Sequence, residues 1–287
     1  MPHAPSPCLP TDQDVRFYQE NGYWLSPRFL SDDELEALRE RHAAVIRGEY
    51  VTGRSPWSHD PPPGAPIDRI VKIDNSHWAD PVIARLAVHP FIGAMAARLA
   101  GARGIRLWHD QLLFKPPDSG ARGNVGWHQD QHYWQCAQPA ELLTAWVALD
   151  DVNEENGCMQ VVPGSHRWGL LPEGDFFNAD LDALRARIET ATGREFRTAP
   201  CAIPAGACSF HHCLTVHGSG PNVSSRPRRS IVVHLQPDGT RYRAGTSADG
   251  HMNVRLLSGR SGDPFAGPYF PLLHREGGDA NPWRVGA

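Results

Sequence analysis

The sequence predicts a mainly β fold with flanking helices, in which a double-stranded β-helix (the jelly-roll or cupin-like core) is packed by an N-terminal helical layer. Helical periodicity fills the first hundred residues, and short β-favouring runs separated by turn residues take over from about Ile105. Helices first and strands later lack the alternation that a parallel sheet needs. An antiparallel double sheet is the commonest strand-rich architecture with an interior site.

The elements follow in order. Residues 1–10 are Pro-rich and expected to be disordered, and residues 11–287, which show no internal repeat, are expected to form a single domain. Thr11 caps a helix through about Asn21. Ser31 and Glu34 form a capping box ahead of Leu35, Leu38, Ala43 and Ile46, which recur at helical spacing. Residues 52–66 hold several prolines and glycines together with Trp57 and His59, and read as a long loop. His89 to Ala100 is a further helix, stopped by Gly101. Strands are expected at Ile105–Lys115, Leu143–Leu149, Met159–Val162, Ala207–Phe210 and Ser230–Leu235. One helical insert, Leu181 to Thr190, carries Leu184 and Ile188 on one face.

Composition excludes several classes. Hydrophobic content of 40% and charged content of 21% are those of an ordinary folded soluble chain. A formal net charge of -4 gives no electrostatic reason to expect nucleic acid. Cys8, Cys136, Cys158, Cys201, Cys208 and Cys213 form no Cys-x-x-Cys pair, and a chain of this size needs no disulfide staples. The N-terminus lacks a basic region followed by an apolar one, and no stretch approaches the length of a membrane span, so a reducing cytoplasm is the expected setting.

The chemistry is concentrated in two places. Trp127-His128-Gln129-Asp130-Gln131-His132-Tyr133 contains a His-x-Asp pair, and a strand would put residues i and i+2 on one face, within reach of one ion. Farther on, His217 opens His217-Gly218-Ser219-Gly220, where the backbone can turn tightly, and Arg228 opens the apolar run Ile231-Val232-Val233. Two imidazoles and one carboxylate can hold one face of Fe(II) and leave the opposite positions open. An Arg in a buried strand needs an anionic partner, which a bound dicarboxylate would supply through a two-pronged contact. His211 and His212 are rival ligands, but they lack the Gly-Ser-Gly sequence and the spaced Arg, so they rank as supporting or structural. His132 reaches either the cavity or its wall, and His109 and His166 read as structural. A zinc hydrolase also uses two His and one carboxylate, but gives no reason for the Arg. A binding module would have no need of the whole set.

Together these residues resemble the phytanoyl-CoA dioxygenase family of Fe(II)/2-oxoglutarate-dependent oxygenases. The resemblance runs from about residue 12 to 236, through Lys72-Ile73-Asp74, Lys115-Pro116-Pro117-Asp118-Ser119-Gly120 and Trp127-His128-Gln129-Asp130 with Tyr133. It continues through Ala145-Trp146, Glu155-Asn156-Gly157-Cys158, Pro163-Gly164-Ser165-His166 and His217-Gly218-Ser219-Gly220 with Arg228. It implies iron ligands at His128, Asp130 and His217, and Arg228 paired with the distal carboxylate of 2-oxoglutarate, with Ser219 on the same group. Lys72, Gln111 and Trp146 fall where the family lines the co-substrate pocket, O₂ is the oxidant, and Pro163–His166 is expected to shape the mouth of the barrel. Related halogenating enzymes replace the carboxylate by a small residue, so Asp130 favours hydroxylation. Desaturation, epimerisation or cyclisation on the same scaffold remains open. Candidate substrate residues are His132, Trp134, Trp57, His59, Phe176 and Phe177, an aromatic set suited to a mostly apolar small molecule. No clear basic groove awaits the phosphates of an acyl-CoA.

Overall fold

The computed structural model describes residues 9–172 and 174–278. Helix α1 (Asp12–Asn21) begins at Thr11, whose hydroxyl accepts from the Asp14 amide at 3.2 Å while the Asp14 carboxylate accepts from the Thr11 amide at 2.8 Å. The expectation of disorder over residues 1–10 falls, for residues 1–8, outside the described residues, and it fails at residue 10. Pro10 is buried, and its carbonyl accepts from Arg98. A short strand, β1 (Tyr23–Leu25), precedes α2 (Asp32–Ile46), which starts with the Ser31–Glu34 capping box.

The stretch read as a long loop contains β2 (Ser58–Asp60), paired antiparallel with β3 (Val71–Asp74). Strands this short carry too little alternation to be seen in sequence, and their register comes from the neighbouring strand. Helix α3 (Pro81–Ala87) was also not foreseen. It is capped by Asp80, which accepts from the Val82 and Ile83 amides, and it leads into α4 (Pro90–Ala100), closed by Gly101 at φ 61°. Contrary to the expectation of no span-length stretch, Pro81–Ala100 is 20 residues long and apolar enough to cross a membrane by length and composition. Here it is divided at Val88–His89, and 61% of its most apolar window is buried.

The strands that follow are β4 (Gly104–Lys115), β5 (Val125–His128), β6 (Ala137–Gln138), β7 (Leu143–Ala148) and β8 (Gln160–Val161). After helix α5 (Leu181–Thr192) come β9 (Ala199–Pro200), β10 (Cys208–His212), β11 (His217–Ser219), β12 (Arg228–Pro237), β13 (Arg241–Tyr242) and β14 (Leu272–Arg275). The large antiparallel sheet runs β1-β10-β7-β12-β4-β3-β2, with β14 also on β4, and the smaller sheet runs β5-β11-β8-β9. Strands β6 and β13 form a separate ladder. This is the jelly-roll arrangement expected, with β1 contributed from among the N-terminal helices.

Period-two alternation divides the large sheet into two chemically different faces. Val71, Ile73, Leu112, Ala145, Val147, Phe210, Ile231, Val233 and Leu235 belong to one apolar cluster with Leu35, Leu38, Ile83 and Ile92 of the helices. The intervening residues include Lys72, Asp74, His109, Gln111, Thr144, Trp146, His211, Val232 and His234, and all of these line an interior cavity. Apolar burial on the helical side, worth roughly 25 cal/mol per Å², therefore holds in place a face that is polar on the other side.

The Ser31 capping box fixes the start of α2, from which Leu35, Leu38 and Val45 enter this cluster. Ser31→Ala should lower the unfolding free energy by about 1 kcal/mol, read as a lower urea midpoint at unchanged m-value. An unchanged midpoint would show that the cap contributes nothing.

Candidate metal centre and adjoining cavity

His128 ends β5 and His217 opens β11, and antiparallel pairing sets the two directly opposite, with ring centroids 4.1 Å apart. Hydrogen bonds fix each ring. His128 Nδ1 donates to the Gly126 carbonyl at 2.7 Å, and His217 Nδ1 donates to the Thr215 carbonyl at 2.9 Å. The proton of each neutral imidazole is thereby held on Nδ1, leaving an Nε2 lone pair. The two Nε2 atoms lie 3.6 and 3.7 Å from Asp130 Oδ1, too far for hydrogen bonds and suited to three donors around one ion. All three ligand atoms fall within 4.8 Å of one another, and all three residues are buried.

Asp130 lies just past the strand, at the start of a 3₁₀ turn, Asp130–His132. Gln129 keeps extended angles (φ -113°, ψ 133°), so same-face spacing survives for one more residue and brings Asp130 beside His128. The turn then breaks the alternation. His132 is directed elsewhere, half-buried and off the cavity, contrary to its candidacy for the substrate pocket. Asp130 Oδ2 accepts from Thr144 Oγ1 at 2.7 Å and from His211 Nε2 at 3.2 Å. These contacts leave Oδ1 to face the two ring nitrogens and tie the turn to the large sheet. Burial alone would raise the Asp130 carboxyl, but the imidazoles of His217, His128 and His211 more than reverse this and hold it well below its ordinary value, hence ionised. Burial, reinforced by His128 and His211 and opposed by Asp130, pushes His217 well below the usual imidazole range. Two imidazoles with their Nε2 atoms turned inward and a carboxylate are the donor set that suits non-haem Fe(II), and Thr144 and His211 orient it as outer partners do.

A second constellation lies where Arg228 pairs directly across from Lys115 in the β12–β4 ladder. Both are interior, 2% and 0% exposed. Arg228 donates to the Gly157 carbonyl, has its Nε unpartnered, and lies 5.1 Å over the Trp146 ring. Lys115 donates to Ser219 Oγ at 2.7 Å and to the Gly220 carbonyl. Among the described residues neither cation has a carboxylate partner. Burial lowers Arg228 to about 10, and burial with the nearby Arg228 lowers Lys115 well below its ordinary value. Two desolvated cations side by side favour an anion between them.

The cavity joining these features measures about 290 Å³. Lys72, Gln111, Trp146, Ser219 and Arg228 line it with the His-Asp-His cluster, and so do Trp57, Trp134, Phe176 and Phe177. Phe176 is brought to His128 (ring centroids 5.2 Å apart) because its carbonyl accepts from Gly126 N–H at 3.0 Å. A Cβ on Gly126 would meet the Asp175 carbonyl oxygen at 2.0 Å, so only glycine admits this approach.

Several expectations need correction. His59 bonds Tyr50 Oη at 2.8 Å and does not line the cavity. His109, read as structural, does line it. The Pro163–His166 turn packs against α1 rather than the mouth, with Gly164 N–H on Asn21 O at 2.8 Å and His166 Nε2 on Gln19 O at 3.1 Å. Gly218 is required by the approach of Val125 O and the Trp127 ring, 2.9 and 3.0 Å from where its Cβ would sit, rather than by a turn. Lys115, Asp74, Thr144, His234, His251 and Met252 were not picked out as site residues. Asp74, two residues from Lys72 on one strand and bonded to it at 2.6 Å, was open to the same spacing argument as His128 and Asp130.

An antiparallel double sheet enclosing a two-histidine, one-carboxylate cluster beside buried cations defines a metal-dependent jelly-roll oxygenase. Residues 18–230 match the phytanoyl-CoA dioxygenase (PhyH) family, and the chain belongs to that family of Fe(II)/2-oxoglutarate-dependent oxygenases. It is 27% identical over 253 residues to the peroxisomal phytanoyl-CoA dioxygenase of Bos taurus, covering 79% of this chain and 68% of that protein. Its fold resembles that of a non-heme alpha-ketoglutarate-dependent carbocyclase from nogalamycin biosynthesis, with 32% identity, TM-score 0.71 and coverage of 93% of this chain and 99% of the other. It also resembles an epimerase crystallised with Fe3+, alpha ketoglutarate and nogalamycin RO, with 28% identity, TM-score 0.70 and coverage of 92% and 98%.

Thr144→Val removes the hydroxyl that holds Asp130 Oδ2 and should weaken Fe(II) binding about 10–100-fold, the usual loss for an outer partner of a metal ligand. Anaerobic metal titration alongside circular dichroism measures this. Native affinity in the folded variant would mean that the hydroxyl does not orient the carboxylate.

Proposed function

We propose that the chain hydroxylates an unactivated C–H bond of a free small organic molecule, with residues 11–287 acting as one catalytic domain. His128, Asp130 and His217 hold the iron. The observation that carries this reading is the pairing of tautomer-fixed imidazoles and an oriented carboxylate with two buried cations that have no carboxylate partner among the described residues. Arg228 takes the distal carboxylate of 2-oxoglutarate by charge-assisted hydrogen bonds, Ser219 hydrogen-bonds the same group, and Lys115 fixes the Ser219 hydroxyl. Lys72, Gln111 and Trp146 border the co-substrate. When bound, iron, 2-oxoglutarate and O₂ together supply the oxidising power to break the C–H bond, with succinate and CO₂ released.

The remaining work belongs to the chain. Phe176, Trp134 and Trp57 give the organic substrate an aromatic wall and keep water from the reacting carbon. Phe177, 67% exposed at the edge of the cavity, stands where substrate enters. The presence of Asp130 supports oxygenation over halogenation. The aromatic wall of the cavity, together with a Lys72 already engaged by Asp74, supports a free molecule over an acyl-CoA. The five described cysteines are free and buried, in keeping with a reducing cytoplasm. Similarity to a carbocyclase and an epimerase favours a second reading, in which the same first step leads to ring closure or stereochemical inversion.

Anaerobic addition of Fe(II) and 2-oxoglutarate should produce the weak visible band of the chelate, and its absence would refute the assignment. Arg228→Gln should raise the 2-oxoglutarate KM by a factor equivalent to about 2–5 kcal/mol, with Lys115→Met raising it less. A KM unchanged in Arg228→Gln would remove that residue from the co-substrate site.

A further inference from the structure

A third group of polar residues in the cavity is used by neither the metal nor the co-substrate cations. In the register of the large sheet, His109 of β4 pairs with His234 of β12, which pairs with Thr144 of β7. His109 and His234 are 2% and 3% exposed, their ring centroids are 4.5 Å apart, and both line the cavity. His251 joins them, 5.6 Å from His109 and stacked on Trp108 at 5.3 Å and 19°. Neither nitrogen of His109 has a hydrogen-bond partner, nor does Nε2 of His234.

The hydrogen bonds that do exist determine what these rings present. Thr144 spends its proton on Asp130 Oδ2, so its oxygen accepts from His234 Nδ1–H at 2.8 Å. His234 Nε2 is therefore a bare acceptor. His251 Nδ1 accepts from the Asn253 amide at 3.1 Å, so its proton resides on Nε2, a donor. His109, with both nitrogens free, presents one donor and one acceptor. Donors and acceptors thus alternate along one wall, and Trp134 stands edge-on to His109 and His234 at 5.9 and 4.7 Å.

We infer that His109, His234 and His251 form the substrate-recognition wall, reading a neutral hydroxyl group on a small molecule whose apolar body lies against the aromatic lining of the cavity. This rests on the proposed oxygenase function and specifies its substrate class. A hydroxyl donates to the bare His234 nitrogen while accepting from His109 or His251, and so satisfies atoms that are buried without partners. A carboxylate or phosphate offers no proton to His234, and an ether offers none either. Burial keeps all three rings neutral, His109 well below the usual range and His234 and His251 at about 4, so they exert no attraction for an anion. Lys72, on the co-substrate side of these rings, is engaged with Asp74 at 2.6 and 2.7 Å. His109 lies six residues from Lys115 on β4, about 20 Å along the strand, so this wall and the cation end serve different molecules.

The test uses full-length protein loaded anaerobically with Fe(II) and saturating 2-oxoglutarate, so that the cation end is filled. Three bicyclic probes are titrated by calorimetry: 2,7-dihydroxynaphthalene, 2,7-dimethoxynaphthalene and 2-naphthoate. The diol should bind at least tenfold tighter than the diether or the carboxylate. His109→Phe should abolish that preference while the visible 2-oxoglutarate band persists, and His109→Gln, which restores a donor and an acceptor, should recover part of it. Equal binding of the three probes, no binding of the diol, or a preference that survives in His109→Phe overturns the inference. Failure of the visible band in the unaltered protein would instead overturn the oxygenase assignment.

Discussion

The carboxylate of Asp130 is the joint on which both sheets depend. One oxygen accepts from Thr144 and His211 of the large sheet, and the other faces His128 and His217 of the small one. A buried carboxylate lacking such donors would be costly enough to oppose the approach of the two sheets. With them it becomes a fixed anionic point at the centre of the jelly roll. The same contacts that let the interior tolerate a charge also select which oxygen and which ring nitrogens are directed at an ion. Stability and site geometry share one set of hydrogen bonds here.

Around that joint the large sheet separates opposing demands by the simplest available means, its pleat. Ile231, Val233 and Leu235 enter the helical core, while Val232 and His234 between them face the cavity. Burial of the apolar set is large and non-directional, so it can hold unsatisfied groups on the other face. Arg228 and Lys115 without a carboxylate, and His109 without a hydrogen-bond partner among the described residues, are tolerated for that reason. The polar face is also graded. Cations occupy one end, imidazoles the other, and the His-Asp-His cluster lies between them on the opposing sheet.

Much of this was legible in the chain. The helix cap at Thr11, the capping box at Ser31, the long strands β4 and β12, the insert α5 and the cluster of His128, Asp130 and His217 are all visible in spacing and residue type. What escaped notice was short or depended on another segment. Strands β2 and β3 are too brief for periodicity to declare them, and α3 is a single apolar stretch marked by its Asp80-Pro81 start. His132, which i,i+2 spacing from Asp130 leaves either in the cavity or in its wall, lies off the cavity because the strand gives way to a 3₁₀ turn there.

The sequence by itself determined which residues could do chemistry and the periodicity that sorts them onto faces, because both are properties of local covalent order. Tertiary structure alone decided which polar residues meet. Lys115 lies opposite Arg228, and His109 beside His234, only through the register of β4 against β12, across more than a hundred residues of intervening chain. Register is set by the fit of the apolar face against the helices and by the turns that close each strand pair. No local pattern encodes that fit, so Lys115, His109 and His234 meet these neighbours only when the sheet assembles.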